Sequence, residues 1–264
     1  MSDSEEAPTG SPDVGYSREG AAAVVTIDRQ HRRNAVDGPT AAALHEAYLR
    51  FEQDDEARVM VLTGAGGVSF CAGADLKATE TMRDRLMSPE GPMGFTRLTP
   101  SKPTIAAISG FCLAGGLELA LWCDLRIATE GSTLGFPERR WGVPLIDGGT
   151  QRLPHVVGLG RALDLILTGR MIDAQEAAAI GLVNEVVPAG AHVQRALALA
   201  DGLARFPQST MLADRRSALE GLGLTLAEGL ALESQAGPEV FEDGARGAAR
   251  FAAGEGRGGA GAGV

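Results

Sequence analysis

The stretch Ile108–Leu153, ISGFCLAGGLELALWCDLRIATEGSTLGFPERRWGVPLIDGGTQRL, decides how the rest of the chain is read. It is entered from a β-branched, apolar run, Thr104 to Ile108, that breaks at Gly110. At Ala114-Gly115-Gly116 it turns into a segment that reads as a helix from Leu117 to Cys123. Glycines at a strand-to-helix turn let the backbone approach a ligand closely, and the first N–H groups of a helix have no intrahelical partner. Such donors suit an anion or a developing oxyanion. Glu118 sits in the first turn with apolar residues on both sides, where partial desolvation fits a carboxylate for acid/base work. A second isolated carboxylate, Glu138, follows Gly135-Phe136-Pro137. The pattern predicts a donor-lined turn with two acid/base carboxylates, an arrangement for chemistry next to a carbonyl. Each piece alone has a plainer reading: tight packing for the glycine pair, a dipole partner for Glu118, an N-terminal helix charge for Glu138.

Composition narrows the classes. With 264 residues, 44% hydrophobic and 22% charged, the chain has the length and apolar content for one large domain or a core with an appendage. A net charge of −10 without a large Lys/Arg cluster argues against nucleic acid as a partner. A local basic rim still leaves small anionic ligands open. Cys71, Cys112 and Cys123 are odd in number and lack metal-type spacing, so buried, reduced thiols are expected. His31, His45, His155 and His192 are scattered, and no metal site is expected. The first dozen residues are acidic and rich in Ser, Pro and Gly, unlike a signal peptide, and no apolar run has membrane-spanning length. The expectation is a cytoplasmic protein with no membrane partner.

Along the chain, residues 1–13 read as a disordered tail, 14–190 as the core, 191–253 as a helical oligomerisation region and 254–264 as a flexible tail. Ala22–Asp28 reads as a strand entered from Tyr16-Ser17-Arg18, and Arg29–Ala35 as a basic loop. An amphipathic helix follows from Pro39 to Asp54, then a buried strand, Arg58–Thr63. Cys71-Ala72-Gly73-Ala74-Asp75-Leu76-Lys77 is a small-residue turn that offers a second group of N–H donors. Thr79–Thr99, broken by Pro89, Gly91 and Pro92, reads as a mobile helix and loop near a site or as a surface excursion. Later helices are expected over Pro154–Leu167, interrupted at Gly158-x-Gly160, and from Asp173, an N-cap with Glu176 as its capping partner. Val183–Val187 reads as a strand. Helices alone follow, over Ala191–Arg205, Thr210–Leu222, Thr225–Gln235 and Pro238–Ala253. Strands with interleaved helices, then helices only, predict an α/β core with a helical C-terminal segment.

Five pieces then combine: Asn34-Ala35; Phe70-Cys71-Ala72-Gly73-Ala74-Asp75-Leu76-Lys77; Ala114-Gly115-Gly116-Leu117-Glu118-Leu119-Ala120; Cys123-Asp124; and Gly148-Gly149-Thr150-Gln151-Arg152-Leu153. In this order and spacing the chain resembles the crotonase superfamily, the enoyl-CoA hydratase/isomerase family, over roughly residues 16–252. The resemblance implies a spiral of ββα turns with a helical trimerisation region, assembled as a homotrimer or a dimer of trimers. It implies an acyl-CoA thioester substrate whose carbonyl is gripped by two backbone N–H groups, which fall on Ala72 and Gly115. Both glutamate positions of the family's hydratases are filled, by Glu118 and Glu138, which favours a hydratase over the one-glutamate isomerases. The implied reaction is syn addition of water across the 2,3-double bond of an enoyl-CoA, with no cofactor because coenzyme A is part of the substrate. The turn Ala72–Leu76, with Ala74, Asp75 and Leu76, is implied to receive the adenine. The rim at His31, Arg32 and Arg33, with Ala35 beside it, is implied to receive the phosphates.

The sequence departs from the family's hydratases after Glu138. Arg139, Arg140, Trp141 and Asp147 are expected beside the acyl pocket, where an aliphatic pair and small residues are usual. An arginine next to Glu138 is expected to lower its pKa and hold it ionised. Asp147 reads as a helix N-cap in preference to a further acid/base group. The alternatives are another reaction of the family (isomerisation, dehydration of a hydroxyacyl-CoA, thioester hydrolysis) or acyl-CoA binding without turnover.

Overall fold

The computed structural model describes residues 13–255. Of the tails expected at the two ends, only Asp13, Gly254 and Glu255 lie within those residues. The chain divides into two compact units, one up to Ala200 and one from Asp201 onward.

In the first unit, β1 (Val14–Glu19) and β2 (Ala22–Ile27) form an antiparallel hairpin, Val14 opposite Ile27. The approach to β2 is thus itself a strand. Val14 and Tyr16 point inward while Gly15 and Ser17 are exposed, the alternation of an edge strand with one wet face. β3 (Val59–Gly64), β5 (Thr104–Ile108), β7 (Leu125–Thr129) and β10 (Glu185–Val187) continue the sheet in parallel, in the order β1-β2-β3-β5-β7-β10. Every residue of β3 and β5 is buried, which is why they read as unbroken apolar runs and not as alternating ones.

A second sheet has the order β4-β6-β8-β9, from β4 (Ser69–Cys71), β6 (Phe111–Leu113), β8 (Thr133–Gly135) and β9 (Met171–Asp173). The pairs β3/β4, β5/β6 and β7/β8 each give their first strand to the large sheet and their second to the small one. That repetition is the ββα spiral. Its helices include α1 (Gly38–Gln53) and α2 (Gly115–Trp122). Asp37 caps α1 by accepting from Thr40 N at 3.0 Å, and Leu44, Ala47, Tyr48 and Phe51 form its buried face. Tyr48 and Trp122 enclose Phe95, with ring centroids 6.0 and 4.4 Å from it, which ties the segment before β5 to both helices.

The helix expected from Pro154 starts five residues earlier, as α3 (Gly149–Val157), with Pro154 inside it. Gly158, at φ +81°, separates it from α4 (Leu159–Thr168). Asp173 caps α5 (Ala174–Ala179), accepting from Glu176 N at 2.8 Å. α6 (His192–Arg205) follows β10. All three cysteines are free and buried.

The second unit contains α7 (Gln208–Glu220) and α8 (Leu226–Ala252), packed on each other. The two helices expected over 225–253 are one, and Pro238 lies in its interior. Proline removes one main-chain donor, but a strong cap and flanking helix formers carry the helix past it. The cap is a reciprocal box: Thr225 N donates to Glu228 Oε2 at 2.9 Å and Glu228 N to Thr225 Oγ1 at 3.3 Å. No residue of α8 is buried. Among the described residues no helix is long and apolar enough to cross a membrane.

Candidate active site

Two turns meet at the N-terminus of α2. In the first, Ala114 adopts φ +52°, rare for a residue with a side chain. Its N–H donates to Gly135 O at 2.9 Å, and its carbonyl receives Leu117 N and Glu118 N. Gly115 N–H is left without an acceptor among the described residues.

The second turn is stitched to the loop before α1. Ala72 N donates to Arg33 O at 3.1 Å, Asp75 N to Val36 O at 2.8 Å, and Gly73 O accepts from Val36 N at 2.8 Å. Gly73 N reaches Cys71 Sγ at 3.4 Å. Among the described residues these bonds take every N–H of Ala72–Asp75 except that of Ala74. The donor expected on Ala72 is therefore engaged elsewhere, and the free N–H of this turn belongs to Ala74. Gly73 has φ +96°, and a Cβ on it would lie 2.8 Å from Ala114 Cβ and 3.0 Å from Gly115 N. Only glycine lets the two turns come this close.

Both glutamates are buried close to these turns. Glu118 lies in the first turn of α2, and its Oε1 accepts from Asp147 N at 2.9 Å and Gly149 N at 2.8 Å. Burial pushes its pKa up to about 8, and the neighbouring Asp147 charge adds to the effect; the two N–H bonds oppose it. Glu138 lies in a 3-10 turn, Pro137–Trp141, and neither of its carboxylate oxygens has a hydrogen-bond partner among the described residues. Its pKa is raised as well, by burial. The lowering expected from an adjacent arginine is real but smaller, because Arg139 turns away, its Nε 3.4 Å from Ile166 O.

Asp147 is buried, but the cap residue of α3 is Gly148 and no side chain caps it. The N-cap reading fails because the Asp147 carboxylate faces the opposite way along the chain, to Met93 N at 3.0 Å and to Thr96 Oγ1. No local pattern announces partners more than fifty positions upstream.

A cavity of about 390 Å³ brings these groups together. Ala72, Ala74, Leu76, Gly115, Glu118, Glu138, Trp141 and Asp147 all line it, and Trp141 remains 71% exposed. Residues that the sequence did not single out complete the lining: Met82, Leu86 and Met93 from the 79–99 segment, with Val143 and Ile146. That segment is neither an α-helix nor wholly superficial. It has a 3-10 turn over Thr79–Arg85, and Gly91–Thr96 is buried.

His31, Arg32, Arg33, Ala35 and Asp75 do not line the cavity. The first three are exposed at the outer side of the basic loop, with Arg33 stacked 4.9 Å over the Phe111 ring. The loop instead folds around Arg29, whose burial the sequence did not reveal. Arg29 donates to Ala35 O and pairs with Asp37 at 2.8 Å and Asp75 at 3.4 Å. Its Nε lies 3.3 Å from Asp13 without hydrogen-bond alignment. Asp75 also accepts from Lys77 N at 3.0 Å. Ala35 and Asp75 thus brace the turn that carries Ala74. Among the described residues no cluster of His, Cys, Asp or Glu is arranged to hold a metal ion.

Known proteins resemble this chain in sequence and fold. The family model described as enoyl-CoA hydratase/isomerase matches residues 17–253. The chain is 38% identical to the short-chain-enoyl-CoA hydratase of Clostridium acetobutylicum, over 86% of this chain and 89% of the relative. It is 37% identical to the (E)-benzylidenesuccinyl-CoA hydratase of Thauera aromatica, over 79% and 82%. The crystal structure of enoyl-CoA hydratase EchA1 from Mycobacterium marinum superposes with a TM-score of 0.86 at 36% identity, covering 92% of this chain and 96% of that one. With its ββα spiral, its paired turns and a match over most of its length, the chain belongs to the enoyl-CoA hydratase/isomerase family.

Proposed function

We propose that the protein is an enoyl-CoA hydratase that adds water syn across the 2,3-double bond of an enoyl-CoA thioester. One observation carries this reading. Two buried carboxyl groups, Glu118 and Glu138, line the same cavity as the unpaired N–H groups of Ala74 and Gly115. The donor pair grips the thioester carbonyl and holds the negative charge that develops on its oxygen. The ionised member of the carboxyl pair takes a proton from water as the water oxygen bonds to the β-carbon. The π electrons move toward the carbonyl, and the protonated member delivers its proton to the α-carbon. Transfer of one proton between the two carboxyl groups restores the starting state. The raised proton affinity of both groups supports this sharing near neutral pH.

The chemistry needs no metal or cofactor, and a cytoplasmic location goes with an acyl-CoA substrate. The helices of residues 191–253 serve, on this reading, to join subunits into a trimer or a pair of trimers. The support is α8, with no buried residue and with Leu226, Leu230, Phe241 and Phe251 exposed.

The test is loss of the enoyl-thioester absorbance of crotonyl-CoA. Wild type consumes the band, while Glu118→Gln and Glu138→Gln are each slowed roughly 10²–10⁴-fold, the range for removal of one acid/base group. No loss in the wild type, with CoA thioesters still bound, overturns hydration. Loss of activity in Glu118→Gln with full activity in Glu138→Gln favours a one-glutamate isomerisation instead.

A further inference from the structure

Asp147 is the third carboxyl group of the cavity, and two-glutamate hydration leaves it without a task. Its main-chain N–H donates to Glu118 Oε1 at 2.9 Å. Its side chain accepts from Met93 N at 3.0 Å and from Thr96 Oγ1. Arg152 closes the same ring, donating to Asp147 O at 3.0 Å and to Thr96 O at 2.6 Å. A single residue thereby links the irregular 93–96 wall to the carboxylate of α2. An apolar side chain, or an aspartate capping α3, would keep the main-chain link to Glu118 and lose the side-chain link to Met93 and Thr96.

We propose that Asp147 is a positioning residue for Glu118, orienting one glutamate oxygen through its main chain and clamping the Met93–Thr96 wall to the same loop through its side chain. The clamp also places a like charge beside Glu118. Of the groups facing Glu118, Asp147 and, more weakly, Glu138 favour its protonated form, whereas Asp147 N and Gly149 N favour the ionised one. Arg97 and Arg152 in turn favour the charged form of Asp147 against its burial. The inference rests on Glu118 being an acid/base group of the hydration, but its test uses no substrate.

The test is a carboxyl ¹³C NMR titration of the full chain, with Glu118 assigned by its absence in Glu118→Gln, alongside hydrogen exchange at the Met93 amide. Asp147→Asn keeps the acceptor and removes the charge. The Glu118 midpoint is expected to move down from about 8 by roughly one pH unit, with Met93 exchange unchanged. Asp147→Ala removes both, so the midpoint falls and Met93 exchanges roughly tenfold faster or more. Thr96→Val, which deletes only one donor to Asp147, is expected to shift the midpoint in the same direction by less, and covers the case in which the Asp147 variants do not fold. An unchanged midpoint in Asp147→Asn, or Met93 exchange indifferent to Asp147→Ala, overturns the inference. A wild type inactive on crotonyl-CoA overturns hydration and changes neither the Glu118 midpoint nor Met93 exchange.

Discussion

The two walls of the cavity are built on opposite terms. One is regular: β5 and β6 lead into α2, every residue of which is buried, so strand and helix geometry fix Gly115 and Glu118. The other, residues 79–99, has a single 3-10 turn, exposed Leu86 and Met87, and a buried run from Gly91 to Thr96. That run is held through long-range contacts: Asp147 on Met93 N, and His45 Nδ1 on Gly94 O at 3.0 Å. The difference teaches a division of labour. Gly115 and Glu118 sit where regular backbone hydrogen bonding leaves little freedom, whereas the irregular wall takes its shape from a few long-range contacts.

The regular wall breaks first at Gly116. The residue is helical, so alanine there would gain about 1 kcal/mol in helix propensity. A Cβ would overlap Cys71 O, however, and Cys71 is a strand residue of the second sheet that cannot swing aside. Overpacking against backbone outweighs the gain, and Gly116→Ala is expected to lose about 3 kcal/mol in urea unfolding. It also separates the two turns, so its activity falls more than its folded fraction does. A variant of wild-type stability would show that the regular wall is slack.

A pH-dependent effect comes from Glu118. The native state holds its proton up to about pH 8, against about 4.3 for an unfolded glutamate, so the folded protein binds more protons between these values. Stability from this group is complete below the unfolded pKa and is lost as pH rises through the folded one. Glu118→Gln has no such loss. Its stability, read from melting curves, is expected to match wild type near pH 4 and to show a gain of up to about 5 kcal/mol near pH 9. Parallel curves at both pH values would mean that the carboxyl is solvated and that the regular wall does not enclose it.

The same contrast governs what the sequence discloses. β3, β5 and α2 are legible because local hydrophobic pattern and burial agree, and Asp173 with Glu176 is legible as a cap because the partners are three residues apart. The two glutamates share a cavity as their motif implies. Three features were not legible, for one physical reason: their partners are remote or their choice of amide is conformational. Asp147 resembles a cap locally and is claimed by Met93 and Thr96. Arg29 looks like its exposed neighbours in the basic loop and is buried among aspartates. Ala72 and Ala74 are the same residue type two positions apart, and only the pairing with Arg33 and Val36 decides which N–H is free.

The irregular wall sets the lower end of the scale. Leu86 lines the cavity but is 45% exposed, just past the 3-10 turn, so truncating it removes little buried area and leaves no enclosed void. Leu86→Ala is expected to change unfolding free energy by less than about 0.5 kcal/mol, since the cavity term that makes core truncations costly is absent. The same side chain contributes apolar contact to whatever occupies the cavity. On the proposed reading, KM for an eight-carbon enoyl-CoA rises roughly three- to tenfold while turnover of crotonyl-CoA, too short to need that contact, is unchanged. Steady-state kinetics on the two thioesters, paired with a urea curve, reads both effects. A stability loss above about 2 kcal/mol would put Leu86 in a packed core, and the contrast between a wall fixed by secondary structure and a wall shaped by contact would no longer hold.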